Sequence, residues 1–436
     1  MKPFPPKVQF SGRSIDGLSR VAATGWFFRA VALVAVGVSL AAASTAFAPP
    51  AHASTQVSGG KITAAFPDGE PRPPSITATA AILIDEDSGR ILYSRNANAR
   101  LPMASTTKIM TAVVALESLK LDAKVTISAN VPATIGSSLG LQKGQVLTVE
   151  QLMYALLVPS ANDAAVALAE AAAGSTQAFV KKMNEKAKSL GLSNTHFVNP
   201  SGLNAANHFS SAKDLATLAQ YAMRDPVFRG IVRTREFTIP MPGQDSPHKF
   251  ENHNLLLNWQ AWVTGVKTGS TPYARNCLVA SGTRDGVSVI SVLLGAVEDE
   301  IRWKESKALL TFGFSLYPRT VLADKGEVIT ELPAPGGLGR RVRLVADRSL
   351  VVSLFKSDVV TSSVKVDREV VLPVRLGEVY GAIEFTVEGR SLGSVKLIAA
   401  QPVEKATLEM ILGFWGDLWP PLRLGDYLQA LPQRGK

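Results

Sequence analysis

The chain has 436 residues, 46% of them hydrophobic, and a formal net charge of +10. That is enough apolar material for two ordinary cores. The basic residues are scattered and never interleaved with aromatics, which argues against a nucleic-acid partner. Cys277 is the single cysteine, so no internal disulfide can form. The five histidines show neither H-x-x-H nor H-E-x-x-H spacing, so a zinc hydrolase is not indicated and no metal or other cofactor is expected.

Residues 1–53 read as a secretory signal peptide. Lys2, Lys7, Arg13, Arg20 and Arg29 make a basic start, and Ala30–Ala48 is apolar and rich in small residues. Ala46-Phe47-Ala48 and Ala51-His52-Ala53 offer small-x-small cleavage sites. The apolar run is on the short side for a membrane span, and cleaved or uncleaved it implies export. The leader carries +4 of the net charge, so the mature chain is only mildly basic. Residues 54–78, rich in Gly and Pro, read as a linker.

"AAILIDEDSGRILYSRN" then reads as a hairpin turning at Asp85–Gly89. Helical patterns follow at Lys108–Leu119, Val149–Leu156, Asp163–Ala173, Thr176–Leu190, Ala212–Met223 and Ile301–Phe312. Late strands are predicted at Trp262–Gly269 and over Asn276–Ala296, the latter a hairpin turning at Arg284-Asp285-Gly286. Strands, helices, then strands is an α+β pattern whose sheet is completed by distant parts of the chain. From about Pro318 the texture changes to Val-rich runs between Gly and Asp turns. Residues 318–401 therefore read as a small all-β domain, a sandwich. In the tail, residues 402–436, Leu408, Ile411, Leu412, Trp415, Leu418 and Trp419 form one helical stripe ended by Pro420-Pro421. The two tryptophans suit a lipid headgroup region, and the stripe is too short to span, so a peripheral contact with a membrane surface is expected. The polar face carries Glu409 and Asp417 and lacks lysines, which leaves docking on the β domain as the other reading.

"MASTTKIMTAVVALE" (Met103–Glu117) is almost wholly apolar from Ile109 on, yet it opens with Ser105 and Lys108 one turn apart. Positions i and i+3 share a helix face, so the serine oxygen and the lysine nitrogen can meet. A lysine stripped of its proton by burial or by a second cation could act as base toward the serine. A serine at a helix start also presents a backbone N–H and the positive dipole end to a developing oxyanion. The bland reading is a serine N-cap beside a solvated lysine. Spacing alone does not decide, because S-x-x-K begins at Ser58, Ser105, Ser210, Ser246, Ser353 and Ser362. Only Ser105 lies in a short turn leading into a buried-type helix.

Order separates the candidates. S-x-N occurs at Ser94, Ser128 and Ser160, and only Ser160-Ala161-Asn162 sits at a helix start after an apolar stretch. Lys267-Thr268-Gly269 is the one K-T-G, on a predicted strand. Ser-x-x-Lys, Ser-x-Asn and Lys-Thr-Gly in that order are the set of penicillin-binding proteins and serine β-lactamases. "SLGLQKGQVLTVEQLMYALLVPSANDAA", "FVNPSGLNAANHFSSAKDLATLA" and "VTGVKTGSTPYARNCLVASGTRDG" extend the likeness. From about Ala80 to Ala400 the chain resembles the D-alanyl-D-alanine carboxypeptidases, the low-molecular-mass penicillin-binding proteins.

The resemblance implies a transpeptidase-like catalytic domain over residues 79–317, followed by the small β domain. It implies that Ser105 is acylated by the penultimate D-Ala carbonyl of a peptidoglycan stem peptide and that Lys108 is its base. Ser160 would relay a proton to the leaving amine. Asn162 would hold a substrate amide and Lys108. Lys267 would supply positive potential, Thr268 would receive the substrate carboxylate, and Gly269 would leave room for substrate beside the strand. The backbone N–H groups of Ser105 and Ser270 would form the oxyanion hole. β-Lactam antibiotics would be covalent inhibitors, and the enzyme would work in the periplasm or otherwise outside the cytoplasmic membrane. One departure stands out. Where some relatives place a carboxylate-binding arginine, this chain has Val297, with Arg302 a little further on. A D,D-endopeptidase acting on cross-links and a catalytically silent wall-binding protein are the alternative readings. A β-lactamase is disfavoured because "EAAAG" (Glu170–Gly174) lacks an Asn to hold a deacylating water.

Overall fold

The computed structural model describes residues 69–239 and 247–408, together with Val57–Ser58, Ile62–Thr63, Phe66 and Met410. The signal peptide and, Leu408 apart, the apolar stripe of the tail lie outside the described residues. The chain divides into two compact units, Ala65–Pro318 with Ser353–Lys356, and Arg319–Val352 with Ser357 onward and the N-terminal residues up to Ala64.

The first unit is built on a five-stranded antiparallel sheet. Its strands are β1 (Ala80–Asp85), β2 (Ile91–Arg95), β3 (Val263–Thr271), β4 (Arg275–Arg284) and β5 (Val287–Ala296), in the order β2-β1-β5-β4-β3. The strands nearest the N-terminus thus pair with the last ones of the unit. Alternate residues of a strand face opposite sides, and here both sides are covered. Ile82 and Ile84 of β1 and Ile290 and Val292 of β5 enter one core, whereas Leu83 and Val289 enter another. Burial on both faces is why β1 reads as an unbroken apolar run, Ala80–Ile84, rather than an alternating one.

The helices are α1 (Lys108–Ser118), α2 (Val149–Leu157), α3 (Asn162–Ala173), α4 (Thr176–Ser189), α5 (Ala212–Ala222), α6 (Pro226–Arg233), α7 (Leu256–Trp259) and α8 (Asp299–Ser315). Helices α1, α2, α3 and α5 share the larger core, and Trp303, Leu309 and Leu310 of α8 close the other. Their ends carry local signals. Thr148 and Gln151 make a reciprocal capping box on α2, and Ser175 and Ser211 cap α4 and α5. The periodicity reading passed over α6, although Asp225 caps it and Pro226 opens it. Helix α1 is buried from Lys108 to Ala115, which explains a sequence apolar all round.

The second unit contains β6 (Val328–Pro333), β7 (Arg341–Ala346), β8 (Val359–Val366), β9 (Val379–Val387) and β10 (Arg390–Ala399). They form an antiparallel sheet in the order β8-β9-β10-β7-β6. Val57–Ser58 and Ile62–Thr63, within the stretch read as a linker, both pair with β8 and complete seven strands. Burial alternates along β8 and β9, the period-two pattern of a sheet with one packed face.

Candidate active site

Ser105 lies on a single 3-10 turn, Ala104–Thr107, that runs directly into α1 at Lys108. The turn puts the two side chains on one face, with Lys108 Nζ 2.9 Å from Ser105 Oγ. Lys108 is fully buried. Its nitrogen also donates to Asn162 Oδ1 at 2.6 Å and to the Ser201 carbonyl at 2.7 Å. Both of those partners can only accept. When the amine is neutral, it has two N–H groups for them and one lone pair left for Ser105 Oγ. Burial, followed by the nearby charge of Lys267, holds Lys108 well below the usual lysine range, and Asp163 opposes this in part.

Asn162 opens α3 and is fixed from its other end, because Asn162 Nδ2 donates to the Ile135 carbonyl at 2.7 Å. The next residue, Asp163, binds the loop before it. Its carboxylate accepts from Ser138 Oγ and from the backbone N–H groups of Leu139, Gly140 and Leu141. Ser160 precedes α3 in a left-handed conformation, φ +64°. Its buried Oγ has no hydrogen-bond partner among the described residues. A strained backbone holding an unsatisfied hydroxyl is costly, and such costs concentrate where a group awaits a ligand.

Lys267 and Thr268 are buried on β3, the edge strand of the sheet, whereas Ser270 is exposed. Lys267 Nζ donates to the Thr268 carbonyl at 3.1 Å. Burial and the Arg302 guanidinium bring Lys267 down to about 7. Gly269 does more than leave space for a ligand: a Cβ there would stand 2.9 Å from the Met103 carbonyl and 3.0 Å from Ser105 N. The strand is pressed against the turn that carries Ser105, and a side chain would force them apart. Ser105, Lys108 and Asn162 are therefore in direct contact, Gly269 abuts the Ser105 peptide, and Ser160 makes no polar contact with the others.

Two residues flagged by the sequence fall elsewhere. Val297 is 61% exposed, while Arg302 donates from Nη1 to the Gly269 carbonyl at 3.3 Å, pairs with Asp299 and stacks on Trp303. The guanidinium nearest the K-T-G strand is thus supplied by α8. The competing Ser128-x-Asn130 motif is occupied, since both side chains donate to Glu170. Cys277, paired with Gly269 across β3 and β4, is fully buried, and burial raises its thiol to about 11. The 199–208 loop also belongs to the site. Besides the Ser201 carbonyl, Gly202 (φ +91°) packs so closely that an added Cβ would run into the Ala104 carbonyl.

A serine hydroxyl facing the lone pair of a buried lysine, at a helix start and against an edge strand, defines a serine acyl-transfer enzyme. Residues 68–298 match the Peptidase S11 family, the D-alanyl-D-alanine carboxypeptidases, and residues 317–405 match the C-terminal domain of penicillin-binding protein 5. The chain belongs to the D-alanyl-D-alanine carboxypeptidase family. It is 32% identical to D-alanyl-D-alanine carboxypeptidase DacF of Bacillus subtilis, over 78% of this chain and 90% of that protein. It is 35% identical to DacC of Escherichia coli, over 79% and 88%. Among solved structures, the Streptomyces K15 DD-transpeptidase covers 56% of this chain with all of its own, at 37% identity and a TM-score of 0.54. The D-alanyl-D-alanine carboxypeptidase DacD of Francisella tularensis spans 78% of this chain and 98% of its own, at 25% identity and a TM-score of 0.55.

Proposed function

We propose that this serine-type D-Ala-D-Ala carboxypeptidase removes the terminal D-alanine of peptidoglycan stem pentapeptides through an ester on Ser105. Neutral Lys108 takes the Ser105 proton as Oγ attacks the penultimate D-Ala carbonyl. The developing oxyanion is received by the N–H groups of Ser105 and Ser270. The proton taken up by Lys108 is relayed through Ser160 to the amine of the departing D-alanine, so the peptide C–N bond breaks and Lys108 is neutral again. Water, deprotonated by Lys108, then cleaves the ester and returns the serine. Lys267, Thr268 and the neighbouring Arg302 receive the substrate carboxylate, and Asn162 holds both Lys108 and a substrate amide.

The observation that carries this reading is the hydrogen-bonding of Lys108 Nζ, whose two acceptor-only partners leave its lone pair for Ser105. The decisive experiment is intact mass after mixing the mature protein with penicillin, with the modified peptide mapped and D-alanine release measured on a monomeric pentapeptide. An adduct outside Met103–Lys108, or none, would remove the reading. Faster cleavage of a cross-linked dimer than of the monomer would favour the endopeptidase alternative.

The basic, then apolar, leader sequence supports a location outside the cytoplasmic membrane, in a periplasm or its equivalent. Among the described residues no helix is long and apolar enough to cross a membrane. The apolar stripe from Leu408 to Trp419 supports a peripheral contact with the lipid surface, driven by apolar burial and so resistant to high salt. Flotation with liposomes, before and after truncation behind Val403, tests it. Binding that truncation leaves unchanged, or that the mature chain lacks, would dismiss the anchor.

A further inference from the structure

The peptide joining Ala104 to Ser105 has an unusual load. Its N–H is half of the proposed oxyanion hole, and a trans peptide is planar, so that N–H points opposite to the Ala104 carbonyl. Whatever fixes the carbonyl aims the N–H. Ala104 has φ +47°, a conformation residues with a Cβ rarely adopt, so neighbours must hold it. The carbonyl accepts from Thr107 Oγ1 at 2.8 Å. Thr107 Oγ1 lies 2.9 Å from His208 Nε2. The other ring nitrogen, His208 Nδ1, accepts from the Val198 N–H at 2.9 Å.

These contacts admit one arrangement of protons. A backbone N–H can only donate, so Nδ1 carries its lone pair and the ring proton sits on Nε2. Nε2–H then donates to Thr107, whose own hydrogen is free for the Ala104 carbonyl. The chain runs one way, Val198 N–H to His208 to Thr107 to the Ala104 carbonyl, and Thr107 and His208 are both buried. A hydroxyl that accepts from an imidazole donates more strongly in turn.

We propose that His208 is a positioning residue for the oxyanion hole, acting through Thr107 on the Ala104 carbonyl and so aiming the Ser105 N–H. It touches neither the substrate nor Ser105 Oγ. The proposal rests on Ser105 being the nucleophile. It also accounts for a histidine that the acyl-transfer chemistry leaves without a task.

Three variants of the mature enzyme test it. Thr107→Val keeps the side-chain shape and deletes the hydroxyl. His208→Leu removes both ring contacts. His208→Gln restores them, with Oε1 accepting from Val198 and Nε2 donating to Thr107. An oxyanion-hole defect is expressed in the transition state, so it lowers kcat and leaves KM nearly alone. We expect Thr107→Val and His208→Leu to lose about 10²-fold in kcat and in penicillin acylation, as for loss of one oxyanion donor. His208→Gln should recover to within about tenfold of wild type. Thermal unfolding of each variant confirms the folded state. If His208→Leu does not fold, Thr107→Val and His208→Gln decide. A folded Thr107→Val at the wild-type rate, a loss carried wholly by KM, or a glutamine variant as slow as the others overturns the proposal. Failure of the nucleophile assignment would appear separately, as penicillin labelling that survives Ser105→Ala.

Discussion

The two units bury their polar groups in different ways. In the first, Thr107, Lys108, Asn162, Asp163, His208 and Lys267 are all buried, two of them as lysines. In the second, among the described residues from Arg319 on, the buried polar side chains are Thr320, Asp358 and Ser362. The β unit obeys the simple rule of alternating strands, apolar inward and polar outward. The catalytic unit departs from that rule more often, at structural positions such as Glu86, Asp214 and Glu305 as well as around the Ser105 turn, where two lysines are buried together. Buried charge is costly, so its concentration around Ser105 marks the functional part of the molecule more sharply than any cavity does.

The most drastic way to test that contrast is Ser105→Ala. Covalent labelling by penicillin and D-alanine release should both vanish while the fold persists. Intact mass and circular dichroism check this, and an adduct on the alanine variant would refute it.

Next comes the pH dependence of acylation. Burial, and then the charge of Lys267, make Lys108 give up its proton well below the usual lysine range. Below that point kcat/KM should fall about tenfold per pH unit. Above about 7, where Lys267 loses its own charge, attraction of the substrate carboxylate should weaken and the profile should turn down. Lys267→Met should abolish the falling limb and move the rising limb toward alkaline pH. A flat profile in the wild-type enzyme is incompatible with a lysine base.

Matched glycine substitutions compare the units directly. Gly202 and Gly389 both have positive φ, +91° and +79°. Around Gly389, in the turn between β9 and β10, an added Cβ meets nothing within 4 Å. Gly389→Ala should cost about 1–2 kcal/mol from backbone strain alone. Gly202→Ala adds a collision with the Ala104 carbonyl, so we expect about 3 kcal/mol or more, together with loss of acylation. Denaturant titration gives both numbers, and equal costs would show that the Gly202 loop yields easily.

A buried histidine should also make the stability of the catalytic unit depend on pH. Burial, with a smaller push from His196, lowers His208 to about 4. The unfolded chain, with a histidine near 6.5, binds a proton that the folded unit refuses. The contribution is therefore fully present above about 6.5 and is lost as pH falls toward 4, on the order of 2–3 kcal/mol. From Arg319 on the β unit has no histidine and lacks this contribution. His253, lowered to about 4 by burial and then by Lys267, Arg302 and Lys108, adds a contribution of the same sign, so His208→Gln should lose part of the slope, and an unchanged slope would assign the effect elsewhere.

What could be read in advance follows from where the information lies. That Ser105 and Lys108 share a face is a matter of spacing three, and that Asn162 opens a helix follows from the apolar run before it. The burial of β1 was visible as an unbroken hydrophobic run. The Ser201 carbonyl was not, because a backbone acceptor leaves no trace in side-chain identity and lies 93 positions from Lys108. His208 was equally silent, since its role depends on which atoms of Val198 and Thr107 face its two nitrogens. Gly269 was noticed only as room for substrate, and its second role shows only in the fold, where β3 is pressed against the Ser105 turn. Arg302 reaches that strand by way of α8, a contact that aligning the stretch around Val297 does not reveal.

The smallest expected change in stability makes the sharpest comparison. Ser160 Oγ and Ser362 Oγ are both buried without a hydrogen-bond partner, one in each unit. Removing an unsatisfied buried hydroxyl relieves a desolvation cost, so serine to alanine should be neutral or stabilising by up to about 1 kcal/mol at either place. In the β unit nothing else should follow, and Ser362→Ala should keep full activity. In the catalytic unit the same deletion removes the proton relay to the leaving amine, and kcat should fall by about 10²-fold or more. The two variants would then agree in melting temperature and differ in turnover. If Ser160→Ala instead destabilises the enzyme, its hydroxyl has a structural partner and its φ of +64° is held for packing. If it stabilises and stays active, the unsatisfied oxygen carries no step of the reaction, and the leaving amine must take its proton from Lys108 directly.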